Sequence, residues 1–362
     1  MKRLAALACV LLLAACASSG ERPTLQFGAQ VEAGRKGTMF PAQQAEEVPR
    51  YIYVGQLTGE ENFVWPEVKT STFGDVVRWL VGLVGGDSEP ESLRRPQHGA
   101  IDAAGRILVT DISRQAVAVF DRQAGQLVFW DKAFGYQGFV TPVGLALGSK
   151  GDVYVADADL GLVAHLDPDG ASLGVIGRGL LQRPTGVAWD AKRKRLYVAD
   201  THAHDIKIFD EAGAQVGSFG ERGDGKGEYN FPTFLALAGD ELYVSDTMNA
   251  RIQVVGAEHG EFRRSIGTRG TYVGNLVRPK GISLDGEGNL YIVESYHDHL
   301  LVFNRQGEFL MPIGGGAGQD VGQYYLPSGV WIDAQNRIFL ADTFNGRVVV
   351  YQYLGGGAEN DE

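Results

Sequence analysis

Six prolines divide most of the chain into near-equal units, and that spacing restricts the possible folds more than any other feature. Pro96, Pro142, Pro184, Pro232, Pro279 and Pro327 are 46, 42, 48, 47 and 48 residues apart. Each opens a similar stretch, clearest in PVGLALGSKGDVYVAD, PTGVAWDAKRKRLYVAD, PKGISLDGEGNLYIVE and PSGVWIDAQNRIFLAD. An acidic residue follows each proline by 14 to 16 positions: Asp111, Asp157, Asp200, Asp246, Glu294 and Asp342. A short loop, a second apolar run such as DIKIF, RIQVV, HLLVF or RVVVY, and a glycine-rich close complete the unit. Self-similarity at this period means that each unit is one supersecondary element whose apolar faces are buried against the next copy.

Alternating apolar residues, β-branched and aromatic enrichment, and Gly/Asp/Asn clusters divide each unit into four short strands, a to d. Fifty glycines in 362 residues, about twice the usual share of roughly 7%, fit such a turn-rich all-β chain. Four strands in 42–48 residues is the period of one propeller blade, so six units predict a six-bladed β-propeller. Four residues after each proline stand Ala100, Ala146, Ala188, Ala236, Ser283 and Trp331. Small residues there let inner strands approach near the axis; Trp331 needs room or plugs something. The last unit stops after strand c near Tyr351, and Arg50-Tyr51-Ile52-Tyr53-Val54-Gly55 reads as a strand placed before the first unit. This N-terminal strand is expected to close the last blade, so that no sheet edge stays open.

The pattern P-x-G…LYVAD-x-x-N-x-R-I-x-V-F…G…IG resembles the NHL repeat, most clearly at Asp246-Thr247-Met248-Asn249-Ala250-Arg251-Ile252 and Asp342-Thr343-Phe344-Asn345-Gly346-Arg347-Val348. The resemblance spans residues 95–352 and recurs six times. It implies a six-bladed propeller that binds protein, carbohydrate or nucleic acid, in a family with some enzymatic relatives; fold alone does not choose among these. Blades 1, 2, 3 and 5 depart from the pattern at the loop Asn or Arg, which affects the blade-locking contacts.

Residues 1–16, MKRLAALACVLLLAAC, combine a basic start with a short apolar run, the pattern of a secretory signal. Leu13-Ala14-Ala15-Cys16 resembles the lipobox of bacterial lipoproteins, which implies removal of residues 1–15 and lipidation of Cys16. The other cysteine, Cys9, falls within the signal. Ala17 after Cys16 resembles outer-membrane sorting, so the expected location is the cell envelope, as an outer-membrane lipoprotein facing the periplasm or the surface. Residues 16–49 have no apolar period and are expected to form a flexible tether; residues 353–362 form an acidic tail. The propeller should occupy residues 50–352, with an insertion at 58–94. In it, Thr72-Phe73-Gly74-Asp75 resembles a capping box, and Phe73, Val76, Val77, Leu80, Val81 and Val84 line one face of a short helix over 73–84. That helix either packs on the propeller or meets a partner or membrane.

The loops before strand a and between strands b and c share one face, where the candidate site lies. Arg95, Arg183 and Arg278 precede prolines; Arg178, Arg222 and Arg269 lie in the glycine-rich closes. Guanidinium groups there either grip an anionic ligand or pair with loop carboxylates and hold blades together. His98 replaces the glycine two after Pro96, His202 and His204 lie in DTHAHD, and His297 and His299 in ESYHDH. H-x-H beside Asp205 or Asp298 is a candidate zinc pair, or a pair of polar loop residues. Tyr229, Tyr272, Tyr324 and Tyr325 add aromatic anchors.

Two enzyme readings are weaker. A peptide-amidating lyase with a related fold holds zinc by histidines beside alternate strand-a prolines. Here Pro96-Gln97-His98 is one place off, and Pro184-Thr185-Gly186 and Pro279-Lys280-Gly281 carry no histidine. A lactonase-type calcium site needs converging acids, but the acids here recur in every blade and read as structural. There is no phosphate loop. A formal charge of −11 is a poor match to nucleic acid. The expectation is a membrane-anchored, non-enzymatic module without a cofactor that holds a protein or glycan partner; a metal-dependent hydrolase or lyase at the channel is the alternative.

Overall fold

The computed structural model describes residues 22–28, 37–41, 48–66 and 89–355. The lipobox, Cys16 and the 73–84 segment lie outside these residues. Among the described residues no helix is long and apolar enough to cross a membrane.

The six units are six antiparallel sheets, each in the order a-b-c-d. In blade 3, for example, Pro184–Asp190, Arg195–Asp200, Asp205–Asp210 and Gln215–Phe219 pair in sequence. Inner strands contact the next blade's inner strand around the whole ring, and Val330–Ile332 of blade 6 meets Pro96–Ile101 of blade 1. Almost every strand-b and strand-c residue is buried, because both faces of each sheet pack on a neighbouring blade.

Tyr51–Leu57 supplies the fourth strand of blade 6, pairing antiparallel with Arg347–Tyr353. Its alternate residues Tyr51, Tyr53 and Leu57 are buried, the pattern of a strand with one face on the core.

The expected tether differs from the structure. Met39–Phe40 adds a fifth strand outside Tyr51–Leu57, and Phe40 packs edge-on against Tyr351 at 5.5 Å. Thr24–Leu25 pairs with Phe63–Val64 of the insertion. Phe27 lies edge-on to Phe339 at 6.0 Å, beneath the guanidinium groups of Arg122 and Arg337. Isolated apolar residues in a polar segment carry no period, so the sequence pattern did not reveal these contacts. Gly55 makes room for them: at φ +150°, a Cβ there would overlap the Phe27 carbonyl. The neck of the insertion is also fixed, since Leu93 N–H donates to Thr58 O and Glu60 N–H to Glu91 O.

The P-x-G glycine has a steric cause. A Cβ on Gly186 would lie 2.3 Å from the Thr233 carbonyl of the next blade, and Gly144, Gly281 and Gly329 face the equivalent carbonyl. Trp331 is matched by Gly99, which stands where other blades carry Leu145, Val187, Leu235, Ile282 or Val330; the indole covers Gly99 and stacks on Phe339 at 5.7 Å. Bulk has moved from one inner strand to its neighbour, the kind of compensated exchange a core accommodates.

Candidate functional site

The acids closing strand b build the loop-bearing face. All six are 0% or 1% exposed. Asp111 accepts from Arg94 N–H and Arg95 N–H of the preceding loop and from Ser113 N–H and Arg114 N–H of its own b–c loop. Asp157 does the same with Val140, Thr141, Asp159 and Leu160. Asp200 takes Gln182 and Arg183 N–H, Asp246 Asn230 N–H, Glu294 Arg278 and His297 N–H, and Asp342 Tyr325 N–H. These are charge-assisted bonds that tie two loops to one buried anchor. Carboxylates committed in this way do not fit the converging ligand set of a calcium site.

Blades 4 and 6 add the Asn and Arg of the repeat. Arg251 Nε meets Asp246 at 2.8 Å, and its Nη2 donates to Gly225 O and Glu228 O. Arg347 binds Asp342 at 2.7 Å, Gln319 O, Gln323 O and Gln56 Oε1. Blade 3 uses Lys207, 3.0 Å from Asp200, instead. In blade 5, His297 and His299 stand in the Asn and Arg places, and His297 Nε2 is buried with no hydrogen-bond partner.

The last b–c loop residue has positive φ in every blade, at Gln115, Gly161, His204, Ala250, Asp298 and Gly346. From this position, His204 Nδ1 accepts Phe231 N–H at 3.2 Å and Asp298 accepts Leu326 N–H at 2.6 Å, each from the next blade. His204 therefore acts as a strut between blades, and His202 packs edge-on against Phe231 at 5.9 Å. No group of three or more His, Cys, Asp or Glu with metal-binding geometry occurs among the described residues.

The arginines are spread around the rim rather than gathered. Arg95 of blade 1 covers Phe344 of blade 6 at 4.8 Å. Arg183 of blade 3 pairs with Asp159 of blade 2. Arg178 covers Phe134 at 5.2 Å, Arg278 covers Tyr296 at 5.8 Å, and Arg269 donates to Met248 O. Arg222 is exposed, its backbone bridged to Tyr229. Of the four tyrosines expected as anchors, Tyr272 is 82% and Tyr325 47% exposed, but Tyr229 and Tyr324 are fully buried. Those two are core residues: Tyr324 donates to Ile313 O and bonds the Tyr351 hydroxyl. The rim aromatics that sequence reading missed are Tyr296 and Phe344, two residues after the strand-b acid, a register in which Met248 is also exposed.

His98 lies elsewhere. Its ring centroid is 5.6 Å from Phe234 and 5.9 Å from Trp331. Blades 1 and 4 are opposite in the ring, so His98 and Phe234 meet across the axis at the level where four other blades carry glycine. Leu145 N–H donates to its Nδ1 at 3.4 Å. Burial pushes its pKa from 6.5 down to about 4. The fold holds the neutral ring, whereas the unfolded chain takes up a proton near pH 6.5. Stability from this group is complete above that pH and falls as pH drops toward 4, by on the order of 3 kcal/mol. His98→Phe should flatten the loss, measured as denaturant unfolding at pH 7 and 4.5; an equal loss in the variant places the sensitivity elsewhere.

Residues 284–358 match the family model described as a 6-bladed beta-propeller. Over 157 residues the chain is 33% identical to NHL repeat-containing protein 2 of Bos taurus, covering 33% of this chain and 21% of that one. Over 139 residues it is 30% identical to Protein brain tumor of Drosophila melanogaster, covering 38% and 13%. The chain is an NHL-type six-bladed propeller. The aligned part spans about a fifth or less of these curated relatives. Virginiamycin B lyase from Staphylococcus aureus superposes with a TM-score of 0.53 at 15% identity, over 73% of this NHL propeller and 86% of that chain, a likeness of fold.

Proposed function

We propose that this NHL propeller is a non-enzymatic binding or scaffold module, tethered to a membrane of the cell envelope through lipidated Cys16, with a protein or glycan partner held on its loop-bearing face. One observation carries the reading. The acids that metal chemistry at the channel would recruit are spent on loop N–H groups, while the exposed rim is aromatic and cationic. Arg and aromatic side chains on a rigid scaffold are the usual anchors of recognition. NHL-repeat relatives support a binding role; the enzyme named above shares the fold alone.

The test joins two variants. Cys16→Ser should move the protein from the membrane to the soluble fraction, and continued membrane fractionation would place the anchor elsewhere. Arg95→Gln/Arg183→Gln/Arg278→Gln should weaken cross-linking to the envelope partner in a salt-dependent way, with the melting temperature nearly unchanged because exposed pairs contribute about 0–1 kcal/mol each. If stability falls and cross-linking per folded molecule does not, the arginines are struts and the face is not the binding surface.

A further inference from the structure

The b–c loop of every blade has one exposed position, two residues after the strand-b acid. In blades 4, 5 and 6 it holds Met248, Tyr296 and Phe344, which are 44%, 54% and 47% exposed. In blades 1, 2 and 3 it holds Ser113, Asp159 and His202. In this register the large apolar side chains therefore occupy three consecutive blades and are missing from the other three. Tyr272 and Tyr325, exposed in the loops that lead into blades 5 and 6, extend the same arc. Tyr325 lies edge-on to Phe344 at 5.5 Å.

The loops hold these residues outward on a fixed backbone. Met248 N–H donates to Asn230 O, and Phe344 N–H to Tyr325 O. Both residues sit in short helical turns, Thr247–Asn249 and Thr343–Asn345, each closed by a left-handed residue, Ala250 or Gly346. A backbone ordered before binding has little entropy left to lose when a partner arrives.

Each of the three apolar residues has an arginine beside it. Arg269 donates to Met248 O at 2.7 Å, Arg278 lies over Tyr296 at 5.8 Å, and Arg95 lies over Phe344 at 4.8 Å. All three arginines are exposed, and among the described residues none meets a carboxylate within ion-pair distance. A guanidinium resting on an aromatic face keeps its N–H edge for an anion. Arg183, on the other half of the rim, is already paired with Asp159. The loop that carries Arg269 and Arg278, residues 267–278, has no acidic residue, although the whole chain carries a charge of −11. Neighbouring exposed apolar side chains of this size mark interaction sites.

We propose that blades 4 to 6 form a docking arc for an acidic protein segment, whose apolar side chains pack on Met248, Tyr296 and Phe344 while its carboxylates meet Arg269, Arg278 and Arg95. The proposal rests on the loop-bearing face being the binding surface and names the partner there as protein. Sugar rings stack on open aromatic faces. Met248 offers none, and a guanidinium covers one face of Tyr296 and of Phe344. An arc that repeats an apolar residue and a cation over three blades suits an extended chain that repeats apolar and acidic residues.

The test is selection from a random peptide library displayed on phage, with the full-length protein as bait, followed by affinity measurements on the selected peptides. Their sequences should interleave Asp and Glu with aromatic or aliphatic residues. Tyr296→Ser/Phe344→Ser should weaken their binding about tenfold or more, the loss that truncated interface anchors show. Arg95→Gln/Arg278→Gln should weaken it more at low salt than at high salt. Leu180→Ser, which changes a 52% exposed residue in the loop leading into blade 3, should leave it unchanged. Should the aromatic double variant fail to fold, Met248→Glu tests the same arc by repelling the carboxylates. Selection of no peptide, or of peptides without acidic residues, overturns the proposal. Affinity lost in Leu180→Ser and kept in the arc variants overturns the arc while leaving the binding face in place. Affinity unchanged in every variant removes peptide binding from the loop-bearing face, and both readings fail.

Discussion

A chain lacking residues 17–57 should fail to form a stable monomeric propeller, whereas one lacking only residues 17–48 should fold with a lowered melting temperature. The longer deletion removes the outer strand of blade 6. It exposes the full hydrogen-bonding edge of Arg347–Tyr353 and uncovers Tyr351, Val348 and Val350, all buried at 0%. It also removes Tyr51, whose hydroxyl bonds Tyr291 of blade 5 at 3.1 Å. An open edge of apolar alternation pairs with other chains, so aggregation is the expected outcome. Because blade 6 joins blade 1 to blade 5, its loss removes a contact from both neighbours, and the ring loses cooperativity. The shorter deletion takes away Met39–Phe40 and the Phe27 and Phe40 contacts. Burying one phenylalanine contributes about 1.5–3 kcal/mol, so this variant should melt several degrees lower without aggregating. Scanning calorimetry and light scattering separate the two. Equal melting temperatures for both truncations would refute closure by Tyr51–Leu57.

Arg347→Ala should be the most damaging single substitution of a charged side chain, at roughly 3–5 kcal/mol. The guanidinium makes four connections, to Asp342, to the carbonyls of Gln319 and Gln323, and to Gln56 on the closing strand. Truncation strands Asp342, which is fully buried and whose pKa burial already pushes up. Unfolding then gains a further sign. With its folded pKa raised above the unfolded value, Asp342 costs stability at neutral pH and recovers it as the pH falls through the folded pKa. The variant should therefore regain part of its loss on mild acidification. Lys192→Ala, which breaks the exposed pair with Asp240, should leave stability nearly unchanged, because solvent screens such a pair. Denaturant unfolding of both variants at pH 7 and pH 5 provides the comparison. A similar cost for the two would mean that the blade-6 lock contributes no more than a surface pair.

The contrast between blades explains what could be read from the sequence. Repeat number, four strands per blade and closure by the first strand were legible because each follows from local periodicity. A run such as LYVAD is buried on both faces whatever lies far away in the chain, and the missing strand d of the last unit leaves one candidate to replace it. The recurring acid was legible as structural for the same reason: a role needed in every blade cannot mark one special site.

What needed the tertiary structure were contacts made between blades or across the axis. Phe27 and Phe40 have no apolar period around them, so no pattern marks them as packed; Phe27 settles against the cluster between blades 6 and 1 and Phe40 against that between blades 5 and 6. Tyr229 and Tyr324 occupy glycine-rich loops and looked like surface anchors, yet the turn folds them inward. The six arginines shared a face in sequence, but neighbouring-blade partners such as Phe344 and Asp159 distribute them around the rim. His98 stood out as a departure from P-x-G. Only the ring geometry shows that it meets Phe234, 136 residues away in the chain, because a six-membered ring puts the first blade opposite the fourth. Sequence by itself determined the blade and its count, since strand pairing within a repeat is local. The tertiary structure decided what fills the axis, since that depends on closing the ring.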